Sequence, residues 1–568
     1  MTRSLSRQRH VVAVLASLLT ASGALAQAVP DTAAIRELMD AAHVPGLAIA
    51  TVEGGAVAWT GSFGRADGDA AVDAQTVFEA ASLSKPVFAT VVLRLAERGE
   101  FDLDVPLWGL LPYERLAHDE RARQITPRLV LAHRSGLPNW GGTPLELMAT
   151  PDSVWNYSGE GFVYLQRAVE SATGLSLDAL ARREVFEPFG MTQSGYVWRD
   201  GWAPATGHDM IGEPRPLRRA EDGNAASSLV TTAADYARFL AAVLRGEGLA
   251  TETLDEALRR HTDVPAAAYG DEGDPAVAAH LGWGLGWGVQ DDDGRRQIWH
   301  WGDNGAFRAF VLGDLDRGDG VVYLTNSENG LALAEDLLAL VSDGTPWAAR
   351  WLGYQRHDAP IRAARIRLRR AFLDEGVDAG LRLYEALDAD PALDLDGELA
   401  AAARLLASHD RTDDALTVAD WSVESAPESA EAWATAGEIQ TEAGAHGAAI
   451  ASLERALALD PQRTDALADR IAWLREGLAA PVEMDEVTLR SFAGTYGPRR
   501  VGYREGALYY SREGSTSEAR LVPLGGALFR VSSSSTFRIR FIEDEAGVPV
   551  AIEGRYASGH RDTSERTE

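Results

Sequence analysis

The chain has 568 residues, a formal net charge of −30, no cysteine and 12 scattered histidines. The length suggests roughly three or four domains, and the acidity argues against nucleic acid and anionic membrane surfaces as partners. The absence of cysteine removes disulfides, cysteine nucleophiles and most structural zinc sites, and no His-Glu-x-x-His pair appears among the scattered histidines, so a metal enzyme is not expected; nor is a cofactor.

Residues 1–26 read as a secretory signal. Arg3, Arg7 and Arg9 form the charged start, Val11 to Leu19 the apolar stretch, and Ala24-Leu25-Ala26 the cleavage site. No later segment is apolar for long enough to span a bilayer. The mature chain is therefore expected to be exported from a bacterial cell, to the periplasm or beyond, with no membrane span. Residues 27–350 then read as one mixed domain. It opens with a helix over Thr32 to Ala42 and two strands, Gly46 to Val52 and Ala56 to Gly64, around the Gly54-Gly55 turn.

Next comes Ala81-Ser82-Leu83-Ser84-Lys85-Pro86. All but one of the 54 basic residues are arginine, and Lys85 is the exception. Arginine replaces lysine wherever positive charge suffices, but not where an amine must lose its proton, because guanidinium stays charged. A lysine kept three residues after a serine points to Lys85 activating Ser82 as a nucleophile. Val87, Val91 and Leu95 recur at helical spacing and Gly99 ends the run, which predicts a helix from Leu83 to Arg98. Pro86 fits only in its first turn, so Ser82 falls at the positive end and Lys85 one turn on.

Helical stretches follow. Strand-like runs return at Trp283 to Val289, Gln297 to Trp301, Ala306 to Leu312 and Gly320 to Thr325, which predicts an antiparallel sheet closed by both ends of the domain around a helical insertion. Residues 360–478 are helical and repetitive. Pro427 and Pro461 lie one 34-residue period apart, and Trp433, Gly437, Ala449, Leu453, Ala456 and Pro461 follow a tetratricopeptide spacing. Such an array is a docking surface for a protein partner or a rigid spacer. Residues 485–560 alternate and turn like a small β-rich domain, with strands at Ala507 to Tyr510, Ala527 to Val531 and Phe537 to Phe541. The polar tail after Gly559 reads as disordered.

Two further clusters join Ser82 and Lys85: Tyr157-Ser158-Gly159 and His300-Trp301-Gly302. With Ile125-Thr126-Pro127, His133 to Pro138, Thr232 to Phe239 and Leu324 to Ser327, their order and spacing over about residues 30–345 resemble the serine β-lactamase and penicillin-binding-protein superfamily. The likeness is to the branch of class C β-lactamases, D-alanyl-D-alanine carboxypeptidases, D-aminopeptidases and esterases. Phe492 to Tyr496 resembles the small β domain that often follows such hydrolases.

The resemblance implies an α+β hydrolase domain in which Ser82 is acylated and Lys85, its pKa lowered by burial and a nearby positive charge, takes or relays the proton. Tyr157 is then a second base and the donor to the leaving group. The resemblance also implies that His300 bonds the tyrosine or a substrate carboxylate, that the backbone N–H groups of Ser82 and Asp303 form the oxyanion hole, and that Gly159, Trp301 and Gly302 contact substrate. Gly159 stands where β-lactamases and carboxypeptidases carry an asparagine, and His300 where many carry lysine. The expected activity is therefore that of an esterase or D-amino-acid peptidase on a small ester, amide or peptide. The alternatives are a true β-lactamase or D-Ala-D-Ala carboxypeptidase, and a non-catalytic scaffold acting through its repeats. Trp283, Trp287, Trp299 and Trp301 suggest an aromatic pocket or a core.

Overall fold

The computed structural model describes residues 30–268, 273–460, 464–513, 518–534, 536–544, 546–556 and 561–567. The signal-like segment 1–26 and Pro461 of the repeat pattern lie outside the described residues.

Strand Gly46–Glu53 pairs with Ala56–Asp67 on one side and with Asp319–Thr325 on the other, Ile49 facing Tyr323. Early and late chain thus meet in one sheet, as the strand pattern predicts. The sheet has nine strands and continues through Arg308–Asp314, Arg295–Asp303, Gly288–Asp292, Leu281–Trp283 and Thr262–Asp263. Alternation decides what each face covers. Leu47 and Ile49 pack with Ile35, Leu38 and Met39 of helix Thr32–Ala42 and with Leu337 of helix Ala334–Val341. Ala48, Ala50 and Val52 face the helical insertion instead, which includes helix Ser84–Glu97 and helix Ala233–Leu244. With both faces covered, the central strands read as near-continuous apolar runs.

The run Trp283 to Val289 is two strands, not the single one expected. Gly284 N–H donates to the Trp287 carbonyl at 2.8 Å, closing a turn. Gly286 adopts φ +87° there, and a Cβ on it would lie 2.2 Å from Cβ of Ala89 in helix Ser84–Glu97. The close approach of turn to helix requires glycine and breaks the strand.

Among the described residues seven α-helices follow between Pro360 and Leu478, from Pro360–Arg370, which runs on into a π-helical turn at Ala371–Glu375, to Thr464–Leu478. Small residues bring neighbours together: Ala415, Ala419 and Ala436 share one buried cluster, and Gly437 lies against Leu453, where a Cβ would approach to 2.6 Å. The C-terminal part is an eight-stranded meander from Gly494–Tyr496 to Arg561–Glu565. The tail after Gly559 is therefore ordered where it is described. Arg561–Glu565 pairs with Pro549–Tyr556, Arg566 bridges Tyr496 in the first strand, and Thr567 N–H donates to the Thr495 carbonyl. A polar sequence suits this position because the strand seals a small barrel, satisfying two edges at once, and packs little on the core. Its Asp562 also takes the guanidinium of the fully buried Arg499 at 2.6 Å.

Candidate active site

Strand Thr76–Ala81 is buried throughout and ends in Ala81 at φ +49°, a left-handed conformation that costs a residue bearing a Cβ. Several bonds hold the turn that follows. Ser84 Oγ donates to the Ala81 carbonyl at 2.5 Å and accepts from Leu229 N–H. The buried phenols of Tyr196 and Tyr236 donate to the carbonyls of Ser84 and Leu83. Helix Ser84–Glu97 therefore starts at a fixed point, with Ser82 just ahead of its positive end.

Lys85 lies one turn on and is fully buried. Its Nζ is 3.0 Å from Ser82 Oγ and donates to the Ala226 carbonyl at 2.9 Å. Burial lowers the amine from 10.5 to about 7. The second cause expected from the sequence, a nearby positive charge, is absent from this balance. The neighbouring rings of His133 and His300 are buried and neutral, both pushed down first by desolvation and then by Lys85 itself, His300 to about 3.

Tyr157 sits one residue before the cap of helix Gly159–Thr173. Ser158 Oγ accepts from Gly161 N–H at 2.8 Å and donates to the Pro138 carbonyl at 2.8 Å. His133 Nδ1 accepts from Ser158 N–H at 3.0 Å, so the proton of that neutral ring lies on Nε2. The Tyr157 ring lies 4.7 Å from Lys85 Nζ, 4.4 Å from the His133 ring and 4.6 Å from the Trp301 ring. Serine, amine and phenol thus share one small volume.

His300, Trp301 and Gly302 lie on strand Arg295–Asp303. A Cβ on Gly302 would sit 2.4 Å from the Ala80 carbonyl oxygen, so glycine is what lets this strand close over the Ser82 turn. His300 is fully buried, donates from Nδ1 to the Trp301 carbonyl at 2.8 Å, and stands behind Tyr157 with ring centres 6.2 Å apart. It does not line the cavity at Ser82, and neither do Gly159 and Gly302, whereas Trp301 and Asp303 do. The other tryptophans of the suggested aromatic pocket are core. Trp283 and Trp299 are fully buried edge to face behind Trp301, and Trp287 stacks on Phe239.

The cavity holds about 750 Å³ and is also lined by residues that the sequence did not single out, among them Asn139, Asn224, Asn304, Arg218 and Tyr354. Main-chain bonds orient two of the amides. Asn139 Oδ1 accepts from Gly159 N–H at 3.0 Å and Asn224 Oδ1 from Ala226 N–H at 2.9 Å, which leaves both NH₂ groups to donate elsewhere. Asn139 packs so closely on Gly159 that a Cβ there would meet its carbonyl oxygen at 2.8 Å. The acids nearby are already engaged. Glu79 accepts from Arg218 N–H and Asn304 Nδ2, and Asp303 from Tyr354 Oη and the Arg308 guanidinium. The only sequence signal for Asn139 is its place directly after the His133 to Pro138 segment. Among the described residues no cluster of histidine and acidic side chains is arranged to hold a metal ion.

Residues 32–345 match the β-lactamase family model. The chain is 29% identical over 325 residues to penicillin-binding protein 4 of Amycolatopsis lactamdurans, spanning 51% of this chain and 82% of that one. It is 30% identical over 279 residues to esterase EstB of Burkholderia gladioli, spanning 38% of this chain and 68% of the esterase. A D-stereospecific amidohydrolase from Streptomyces superposes with a TM-score of 0.43 at 22% identity, over 53% of this chain and 95% of the other. With the family model covering more than half of its length, the chain belongs to the β-lactamase family of serine hydrolases.

Proposed function

We propose that the protein is an exported hydrolase that acylates Ser82 and acts on esters or amides of D-amino acids whose amino group is itself acylated. The observation that carries the catalytic reading is the 3.0 Å approach of Ser82 Oγ to an amine that burial holds near neutrality. Neutral Lys85 takes the proton of Oγ as the oxygen attacks the substrate carbonyl. The Ser82 and Asp303 N–H groups stabilise the oxyanion, and Tyr157 hands a proton to the leaving group. Water then attacks the acyl-enzyme by the reverse relay. His300, neutral and behind Tyr157, steadies the phenol rather than meeting substrate.

The preference for an acylated amine rests on the polarity of the cavity. Asn139 and Asn224 have NH₂ groups to spare, while Glu79 and Asp303 are engaged by protein donors. A free ammonium would find little to bind, whereas an amide carbonyl would find donors. Stereochemistry and export rest on the family resemblance and on residues 1–26.

The test is intact mass after exposure to a fluorophosphonate, with Ser82→Ala alongside, followed by turnover of N-acetyl-D-alanine and D-alanine p-nitroanilides. A single adduct lost in the variant, and at least tenfold faster cleavage of the acetylated substrate, are expected. No adduct on folded protein would overturn the catalytic reading, and equal cleavage would overturn the substrate reading alone.

A further inference from the structure

The family match ends at residue 345, yet the Ser82 cavity draws one wall from beyond it. Helix Trp347–Leu352 stops at Gly353, which adopts φ +69° as its left-handed cap, and the chain turns back to present Tyr354 to the cavity. Tyr354 Oη donates to Asp303 Oδ2 at 2.6 Å, a short charge-assisted bond. The other oxygen of Asp303 accepts from Gly305 N–H at 3.0 Å and from the Arg308 guanidinium, which in turn lies 5.8 Å from the centre of the Tyr354 ring.

Asp303 follows Gly302, the residue pressed against the Ser82 turn, and opens the bend before strand Arg308–Asp314. The bend is held at its far side too. Asn304 N–H donates to the Phe307 carbonyl, and Asn304 Nδ2 donates to Glu79 and to the Ser227 carbonyl. Protein bonds therefore anchor this stretch from two sides of the cavity, through Asn304 on Glu79 and Ser227 and through Tyr354 on the Asp303 carboxylate.

We propose that Tyr354 is a positioning residue for the hydrolase reaction. By fixing the Asp303 carboxylate it fixes the peptide that carries Asp303 N–H, and with it one of the two donors awaiting the oxyanion. The inference rests on the assignment of Asp303 N–H to that role. An oxyanion donor must be aimed before the charge develops, so a small gain in freedom at Asp303 costs rate rather than substrate affinity. The segment after the family-matched region thereby completes the active site, not merely the fold.

The test uses the full chain and four variants: Tyr354→Phe, Tyr354→Ala, Asp303→Asn and the double variant Tyr354→Phe/Asp303→Asn. Turnover of a p-nitrophenyl ester, the rate of fluorophosphonate labelling and thermal midpoints are measured on each. Tyr354→Phe keeps the ring and should lower kcat about 5- to 50-fold, with KM changed less than threefold and the midpoint shifted by less than about 2 °C. In the Asp303→Asn background the same change should cost less than twofold, because the partner is already altered. An unchanged kcat in Tyr354→Phe would overturn the proposal, as would a loss confined to KM or one that multiplies fully with Asp303→Asn. A loss in Tyr354→Ala alone would assign the residue to the wall of the cavity and overturn the positioning role. Wild-type labelling is the control. If Ser82 takes no label, the catalytic reading falls; if wild type and Tyr354→Phe label equally fast, only the role of Tyr354 does.

Discussion

Burial sets Lys85 near 7, and two pH dependences follow with opposite uses. Acylation of Ser82 needs the neutral amine, so fluorophosphonate labelling should rise with pH through about 7 and level off above it. Lys85→Arg should show no labelling at any pH with the fold retained by circular dichroism, because guanidinium does not deprotonate. The stability effect runs as linkage requires. The amine titrates near 10.5 when unfolded and near 7 when folded, so the unfolded chain binds more protons between those values and stability rises with pH across the window. Compared with Lys85→Met, the wild type should gain about 2–3 kcal/mol between about pH 7 and 9, read by urea unfolding. Tyr157→Phe should slow turnover by about 10²–10⁴ if the phenol moves a proton, and hardly at all if it only packs. At this scale the sequence was legible where chemistry forbids substitution: one lysine among arginines, set beside a serine. The cavity amides were not legible, because Asn139, Asn224 and Asn304 sit in separate loops and acquire their orientation from partners that only folding supplies, main-chain N–H groups for the first two and Glu79 with the Ser227 carbonyl for the third.

Among the elements, strand Arg295–Asp303 carries the steric demand that bears directly on the Ser82 turn. Gly302→Ala would drive a methyl toward the Ala80 carbonyl, and the Ser82 turn must give way. We expect about 1–3 kcal/mol of destabilisation and a labelling rate lowered at least tenfold, while Gly109→Ala, with open space around its Cβ position, should change neither. Labelling at the wild-type rate in Gly302→Ala would mean that the turn relaxes freely. The strands that meet across the sheet were readable because burial on both faces leaves an apolar run with clear turn signals. The break at Gly284 to Trp287 was not, since the reason for it is a helix far away in sequence that needs room at Gly286. The final strand was hidden for the opposite reason. Arg561–Glu565 earns its place by closing an edge, which leaves no hydrophobic signature. Apolar periodicity also cannot tell a pocket from a core, and so the tryptophans had to wait for the structure.

In the whole molecule the helices after residue 360 are tied to the hydrolase part. Arg362 is buried, donates to Asn329 Oδ1, and is lowered to about 10 chiefly by burial; Asn329 in turn donates to the carbonyls of His43 and Met210. Glu213 accepts from Arg370 and lies 3.3 Å from His409 Nε2. Arg362→Ala should therefore lower stability by about 1.5–3 kcal/mol, seen as an earlier thermal transition, with Ser82 labelling at 25 °C close to that of the wild type. A midpoint unchanged from the wild type would show that the helices are only loosely attached. The buried Lys85 has one more consequence, for how the protein meets reagents rather than substrates. Apart from the α-amine, the chain offers amine-acylating compounds a single target, and folding encloses it. Under native conditions, the slow uptake of one acyl group as a hydroxylamine-resistant lysine amide, distinct from the labile ester that Ser82 would form, becomes a clock for opening of the core.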